Sequence, residues 1–281
     1  MTPMSVANKN MALATIQHLT YSRPWLVLTG AGISAASGVP TYRDDQGIWQ
    51  RKPPVTHQEF MTSHKARQRF WLRNMVGWKF ISQAQPNPAH NSLVALERAE
   101  AVSGIITQNV DGLHQRAGSC DTIDLHGRVD TIVCMNCGAK IARSALQPWM
   151  EAHNPSPAAY SASAAPDGDA DIDTLDYSSM QVPSCEICGG VLKPDAVFFG
   201  DTIPKPRLAD CQHKLDQACG LVVVGSSLST YSGYRFCLWA SRANKPIVII
   251  NQGVTRGDPL ATAKITDNCA SVLDLWLNSL S

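Results

Sequence analysis

Charge is scarce in this sequence. Asp, Glu, Lys and Arg make up 17% of 281 residues, against about a quarter in an average globular chain, and the two signs cancel to a net +1. With no basic excess there is no electrostatic footprint for a phosphate backbone, so no direct nucleic-acid binding is expected. No apolar run approaches the roughly 20 residues of a membrane-crossing helix, and no membrane partner is expected either. Acid is missing altogether from the first 43 residues, but their only basic residues are Lys9, Arg23 and Arg43, too few for an arginine-rich leader. The expected location is therefore a bacterial-type cytoplasm, with the mitochondrial matrix as the alternative. Met11 to Leu19 reads as a helix leading into the first strand. The cysteines number nine, which is odd, and four of them fall in CxxC pairs, so a disulfide framework is not expected and a reducing compartment is. Internal repeats are absent, and nothing in the sequence sets an oligomeric state.

What is present is the raw material of one large α/β domain. A hydrophobic content of 44% supports a full-sized core. Strand signals at 25–28, 104–107, 122–125, 221–224 and 246–250 alternate with helical stretches near 89–99, 205–218 and 231–243, which predicts a Rossmann-like, doubly wound parallel sheet. The nucleotide-binding domain is then discontinuous, comprising 1–44, 89–127 and 201–281. Residues 45–88, rich in Arg, Trp, Phe and Met without strand alternation, predict a small helical module. Residues 128–200 predict a second insertion with a long loop at about 155–183, low in large apolar residues.

Trp25 to Leu28 form an apolar run that ends abruptly in Gly30-x-Gly32-x-x-Ala35. Glycines at such a strand end let the backbone approach a pyrophosphate, although the motif alone equally suits a tight turn. Gly38 and Pro40 break the following helix almost at once, and the acidic residue a dehydrogenase needs about 20 residues on is missing, which disfavours hydride transfer. Tyr42 to Gln46 suits a mobile flap. The other strand signals also end in polar residues: Gln108-Asn109-Val110-Asp111, His126-Gly127, Gly225-Ser226-Ser227 and Asn251-Gln252-Gly253. In open α/β sheets such carboxyl-end tips converge on the ligand.

Cys134-x-x-Cys137 and Cys185-x-x-Cys188, each followed by glycine, have the spacing of a tetrahedral zinc site. Four thiolates leave no position for a catalytic water, so one structural Zn²⁺ without chemistry is expected. The tract Asp167 to Asp173 lacks the turn glycine and the final glutamate of a calcium loop, and reads as a solvated acidic loop.

GAGIS, PTYR, TQNVDGLH, LHG, the paired CxxC motifs, VFFGD, GSSL and IIN occur in this chain in the order found in sirtuins, the NAD-dependent protein deacylases. The resemblance covers nearly the whole chain. GVPTYR, ARQRFWLRNMVGW, QPNPAH, APDGD, LKPDAVFFGD and STYSGYRF look most like the class II branch.

The resemblance implies NAD as co-substrate. Its pyrophosphate would lie on the backbone of Gly30, Ala31, Gly32, Ile33 and Ser34, with Pro40, Thr41, Tyr42 and Arg43 in the flap. Gln108, Asn109, Val110 and Asp111 would line the nicotinamide end, Gly225, Ser226 and Ser227 would complete the phosphate and ribose contacts, and Asn251, Gln252, Gly253 and Cys269 would lie towards the adenosine. For Cys269 a buried C-terminal cysteine is an equal reading. The acyl-lysine carbonyl oxygen would capture the ribose carbon as nicotinamide leaves. His126 would then activate a ribose hydroxyl as general base, and Asn109 shares the catalytic assignment. Free lysine and O-acyl-ADP-ribose would be released. Val197, Phe198, Phe199 and Gly200 would wall the acyl-lysine channel, with Gly200 and Asp201 on one side and Ser229 to Ser232 on the other pairing with an extended peptide.

Phe70-Trp71-Leu72-Arg73 stands where sirtuins that prefer acidic acyl groups carry Tyr-x-x-Arg. Arg73 is retained and the tyrosine is not, which suggests longer or branched acyl groups over acetyl. Acylated-lysine proteins or peptides are the implied partners. Two other readings remain open: transfer of ADP-ribose to a protein side chain, and a zinc module that binds NAD or ADP-ribose without chemistry.

Overall fold

The computed structural model describes residues 6–41, 54–158, 164–165, 169–170 and 176–280. Helix α1 (Val6–Tyr21) leads into β1 (Trp25–Thr29), all five of whose residues are buried, as a strand covered on both faces requires. One turn of helix, α2 (Ala31–Ser34), and a 3-10 turn follow before Gly38 stops them in the left-handed region. Helices α3 (His57–Thr62) and α4 (His64–Gln83) each start on a hydroxyl cap, Thr56 in a reciprocal box with Glu59 and Ser63 accepting from the Ala66 N–H. Asn87 caps α5 (Pro88–Arg98), and then come β2 (Val102–Thr107), α6 (Leu113–Ala117) and β3 (Thr122–Asp124). Strands β4 (Gly127–Cys134) and β5 (Lys140–Ala142) precede α7 (Arg143–His153) and the short α8 (Pro155–Ala158). Two-residue strands β6 (Ala164–Ala165) and β7 (Asp169–Ala170) lie before β8 (Leu192–Ala196). The order ends α9 (Lys205–Gln217), β9 (Leu221–Val224), α10 (Tyr231–Arg242), β10 (Ile247–Ile250), β11 (Ala263–Ile265) and α11 (Cys269–Asn278).

Six parallel strands pair in the order β11-β10-β9-β1-β2-β3. From β1 the chain first fills the β2-β3 side and only later the β9-β10-β11 side, so the order reverses at β1 and opens a crevice at its carboxyl end. Side-chain alternation splits the core in two. Val27, Ile105, Val222, Val224, Val248 and Ile250 pack with Leu19, Leu93 and Trp276 on one face, while Leu26, Leu28, Ile106, Val223 and Ile249 pack with Leu215, Phe236 and Ala240 on the other. The edge strand β11 is an element the sequence reading did not contain.

The remaining elements form a second body. Its antiparallel sheet runs β5-β4-β8, and one core joins Phe60, Trp71, Leu72 and Met75 of α3 and α4 to Ile132, Leu146, Met150 and Leu192. The stretches read from sequence as a helical module and a zinc module are thus packed on each other. Tyr42 and Arg43, and most of the Asp167 to Asp173 tract, lie outside the described residues. Among the described residues, no helix is long and apolar enough to cross a membrane.

Candidate active site

The strand tips β1 and β9 meet more closely than side chains allow. The Gly32 N–H donates to the Gly225 carbonyl at 2.8 Å, and a Cβ on Gly32 would stand 2.8 Å from that oxygen and 3.0 Å from Gly225 Cα. A Cβ on Gly30 would meet the Ser226 side chain at 2.7 Å. The glycines therefore serve contact between two turns of the chain itself, a reason for the missing Cβ that stands beside backbone approach to a ligand. The cradle they build lines one wall of a cavity of about 780 Å³, within the size range of cofactor pockets.

Behind the cradle, the polar residues after β2 form one network. Asn109 donates to the Gly30 carbonyl (3.1 Å) and to Ser34 Oγ (3.0 Å), and Ser34 Oγ donates to Asp111 Oδ2 at 2.7 Å. The other Asp111 oxygen accepts from the Leu113 N–H at 2.9 Å. Gln108 donates to Ser226 Oγ at 2.8 Å, tying β2 to β9 across β1. Thr29 and Thr107 support this layer, Thr29 Oγ1 through His114 Nε2 (2.9 Å) and Thr107 Oγ1 through the Asn109 N–H (3.1 Å). Each buried polar atom so held keeps a partner, as a low-dielectric site requires.

His126 follows β3 directly. Its Nδ1 lies 2.8 Å from the Gln108 carbonyl, which can only accept, so Nδ1 carries the proton and Nε2 holds a lone pair. Nε2 lies 2.9 Å from Ser232 Oγ, in the first turn of α10, and both residues line the cavity. Burial pushes the His126 pKa below its ordinary value against the opposing hydrogen bond to Gln108, with Arg207 and Arg235 adding to the depression. The imidazole is thus neutral at pH 7 and basic on its cavity side.

Across the cavity, Val197 continues from β8 and donates its N–H to the His126 carbonyl at 2.7 Å. Phe198 packs against Phe60 and Phe70 with ring centroids 5.3 and 5.2 Å apart. Phe199 and Gly200 line the cavity mouth, but their carbonyls accept from the His57 N–H (2.9 Å) and Gln58 Nε2 (2.8 Å), and the Asp201 N–H donates to Phe198 O. The Asp201 N–H is thereby committed within the chain, while each carbonyl keeps a second lone pair. On the opposite side Ser229 and Thr230 form an extended connection and Tyr231 and Ser232 begin α10, so the expected strand at Ser229 to Ser232 is at most its first two residues. The deep side chain Arg73 lines the same cavity and is already paired, its Nε 2.9 Å from Asp169 Oδ1 and its Nη2 2.8 Å from Asp169 Oδ2.

The cavity brings together Gly30, Ala31, Gly32, Thr41, Gln108, Asn109, Val110, His126, Val197, Phe198, Phe199, Gly200, Gly225, Ser226, Ser227, Asn251, Gly253 and Arg73. Ile33, Ser34 and Asp111 stand behind it as buried support, while Pro40, Gln252 and Cys269 are not on its wall. Cys269 caps the sheet end with its thiol 3.8 Å from the Ile250 carbonyl. The sequence does not foretell the contact of Ser232 with His126, that of Asp169 with Arg73, or the part of Asn87, whose amide bonds Ile33 O (2.8 Å) and Ser37 Oγ (2.9 Å) and so anchors the α2 turn to the α5 cap. The Asn87-Pro88 helix start was a signal for the last of these.

The four Sγ atoms of Cys134, Cys137, Cys185 and Cys188 lie within 4.8 Å of one another. The pairs Cys134–Cys188 and Cys137–Cys185 are 3.5 and 3.7 Å apart, near the roughly 3.8 Å edge of a tetrahedron with Zn–S bonds of about 2.3 Å. Gly138 and Gly189, with φ of +75° and +71°, turn each knuckle so that its N–H returns to the first cysteine's carbonyl. The Asn136 amide, then the Gly190 N–H, hold the Cys188 thiol down to about 6, the thiolate side. The residues fit a structural zinc ion.

A parallel sheet with a ligand crevice at its switch point, carrying a four-cysteine module, defines a nucleotide-binding α/β protein with a metal-stapled second body. The sequence matches the model of the Sir2 family over residues 30–232. An NAD-dependent protein deacetylase of Bordetella bronchiseptica is 51% identical over 247 residues, 88% of this chain and 90% of that protein. The mitochondrial NAD-dependent protein lipoamidase sirtuin-4 of Bos taurus is 47% identical over 261 residues, 92% and 82% of the two chains. A solved structure of Sir2 with a p53 peptide and NAD+ is similar with TM-score 0.76 at 30% identity, covering 95% of this chain and 97% of that one. The chain belongs to the Sir2 family, the sirtuins.

Proposed function

We propose that this protein is an NAD-dependent protein lysine deacylase that passes the acyl group of acyl-lysine to ADP-ribose, with nicotinamide and O-acyl-ADP-ribose as the other products. The observation that carries the reading is His126, whose lone-pair Nε2 opens on one cavity shared by the β1-β9 cradle, Asn109 and the Phe198 wall. The names of its relatives, deacetylases and a lipoamidase that use NAD, support it.

NAD supplies a ribose carbon whose bond to nicotinamide can break. The chain's part is to hold and deprotonate. The α2 turn, Ser226 and Ser227 would hold the phosphates and riboses of NAD, and Asn251 and Gly253 line the same cavity. Asn109, locked by Gly30 O and Ser34 Oγ, gives the nicotinamide end a fixed amide, and orientation of this kind accounts for a large share of a rate enhancement. His126 accepts a proton at Nε2 from a substrate hydroxyl, while its Nδ1–H stays on Gln108 O, so the imidazolium that forms remains hydrogen-bonded. Ser232 Oγ, 2.9 Å from Nε2, marks the position from which a hydroxyl reaches that lone pair. Val110, Val129, Ala196 and Phe198 give the acyl-lysine stem an apolar wall that excludes water. Zinc at the four cysteines holds the second body together and takes no part in the reaction.

The acyl group is a longer or branched one in preference to acetyl, and the location is a cytoplasm of bacterial type. Mass spectrometry of products from NAD and lysine peptides bearing acetyl, butyryl, glutaryl, methylglutaryl and lipoyl groups tests both the reaction and the acyl preference. The expected result is an O-acyl-ADP-ribose peak that vanishes in His126→Ala. ADP-ribose attached to protein, or no NAD consumption, would overturn the deacylase reading, and acetyl turnover equal to or above the longer groups would overturn the preference.

A further inference from the structure

Helix α4 presents Arg69, Phe70, Arg73 and Asn74 to the cavity, the last three at the i, i+3, i+4 spacing of one helix face. From the reactive end, Val110 follows Asn109 and clusters with Val129, Ala196, Trp78 and Phe198. Phe198 then touches Phe70, and Arg73 stands one helical turn further on. The cavity is therefore apolar between His126 and a polar end formed by α4. A guanidinium at the end of an apolar channel is by its geometry a receptor for a carboxylate.

In this chain the carboxylate is built in. Asp169 lines the same cavity, and its two oxygens meet Arg73 at Nε (2.9 and 3.0 Å) and at Nη2 (2.8 Å). The aspartate is well anchored. Its neighbour Ala170 is fully buried in the core with Phe60 and Trp71, its strand pairs with Ala164 and Ala165, and its Oδ1 also accepts from the Ala170 N–H at 2.9 Å. Arg73 and Asp169 side chains are 14% and 32% exposed, so the pair faces the cavity more than bulk water and is weakly screened.

We propose that Asp169 is a specificity-determining residue: a built-in carboxylate that fills the Arg73 fork and turns the channel away from acyl groups ending in a carboxylate, in favour of uncharged ones. The proposal rests on the deacylase reading for the identity of the channel's occupant. An acyl tail that ends in a carboxylate meets a fork already engaged and a like charge beside it. An uncharged tail of equal length meets the Arg73–Asp169 pair, whose charges cancel.

The test compares two fluorescently labelled lysine peptides of equal acyl length, one glutaryl and one carrying the primary amide of the same chain, by anisotropy, with NAD consumption followed in parallel. Wild type should bind the amide more tightly than the glutaryl peptide, by about tenfold or more, the scale of one charge-assisted pair. Asp169→Asn should shift that ratio towards glutaryl by about tenfold or more, and the double variant Asp169→Asn/Arg73→Gln should lose the shift. Equal binding of the two peptides by wild type, a comparison that requires no variant to fold, would overturn the proposal. So would an unchanged ratio in a folded Asp169→Asn. Discrimination as expected without NAD consumption would leave Asp169's role standing and remove the deacylase reading, and failure to bind any acyl peptide would overturn both.

Discussion

Substituting Gly30 or Gly32 by alanine separates two reasons for a glycine at a nucleotide loop. If the residue is there for the ligand, a methyl group leaves the empty protein untouched and weakens only NAD. The geometry gives the opposite order of effects. On Gly32 the methyl would lie 2.8 Å from Gly225 O and 3.1 Å from Gly225 C, where contacts of roughly 3.5–4.0 Å are comfortable. Gly225 is held by its own N–H on Ile250 O at 2.9 Å and by the Gly32 N–H on its carbonyl, so it retreats only by losing hydrogen bonds. Overpacking of this kind costs about 1–3 kcal/mol. On Gly30 the nearest obstacle is instead the Ser226 side chain, Cβ at 2.7 Å and Oγ at 2.8 Å, which a second substitution can remove, leaving only Gly225 O at 3.0 Å. Urea unfolding without NAD should show Gly30→Ala and Gly32→Ala each less stable by about 1–3 kcal/mol. Adding Ser226→Gly should recover about 1 kcal/mol or more of the Gly30→Ala loss as a coupling energy, and none of the Gly32→Ala loss. Unchanged urea midpoints with weakened NAD binding would refute the reasoning, as would equal rescue of both variants.

Three other outcomes are expected. Elemental analysis should find one zinc per chain, and exhaustive chelation or Cys188→Ser should lower the melting temperature; a metal-free chain that melts as before would remove the structural role. Because burial lowers the His126 pKa, the acidic limb of kcat/KM should have its midpoint below 6.5, and a midpoint above 6.5 would contradict a buried neutral base. His90 and His114 are held down to about 4 and about 3, chiefly by burial, so the unfolded chain takes up protons near 6.5 while the folded chain does not. Stability should therefore be complete above about pH 6.5 and fall towards pH 4, by up to roughly 1.4 kcal/mol per pH unit for each histidine, and His90→Gln should flatten the slope in urea titrations.

The central strands were legible because burial on both faces forces them into continuous apolar runs, Leu26 to Leu28 and Leu221 to Val224 among them. Strand β11 was not, since an edge strand of Ala-Lys-Ile has no such run. The zinc cysteines could be read from spacing alone, for the metal fixes the geometry of its ligands. The role of Gly30 and Gly32 could be read only in part: sequence says that a Cβ is unwelcome, and only the fold says what it would strike. The contacts of Ser232 and Asp169 gave no signal. One acts by α10 placing its first turn on His126, the other by β7 meeting α4, and neither follows from local pattern.

In the sheet, β1 lies beside β2 on one side and β9 on the other, Val27 pairing with both Ile105 and Val222. One half of the cradle, Gly30 and Gly32, follows β1, and its other half, Gly225 and Ser226, follows β9, far along the chain. A nascent chain carrying Gly30, Asn109 and His126 has no closed pocket until β9 inserts next to β1. Closing the pocket therefore depends on a long-range strand pairing, the kind of contact that costs the most loop-closure entropy before it is rewarded.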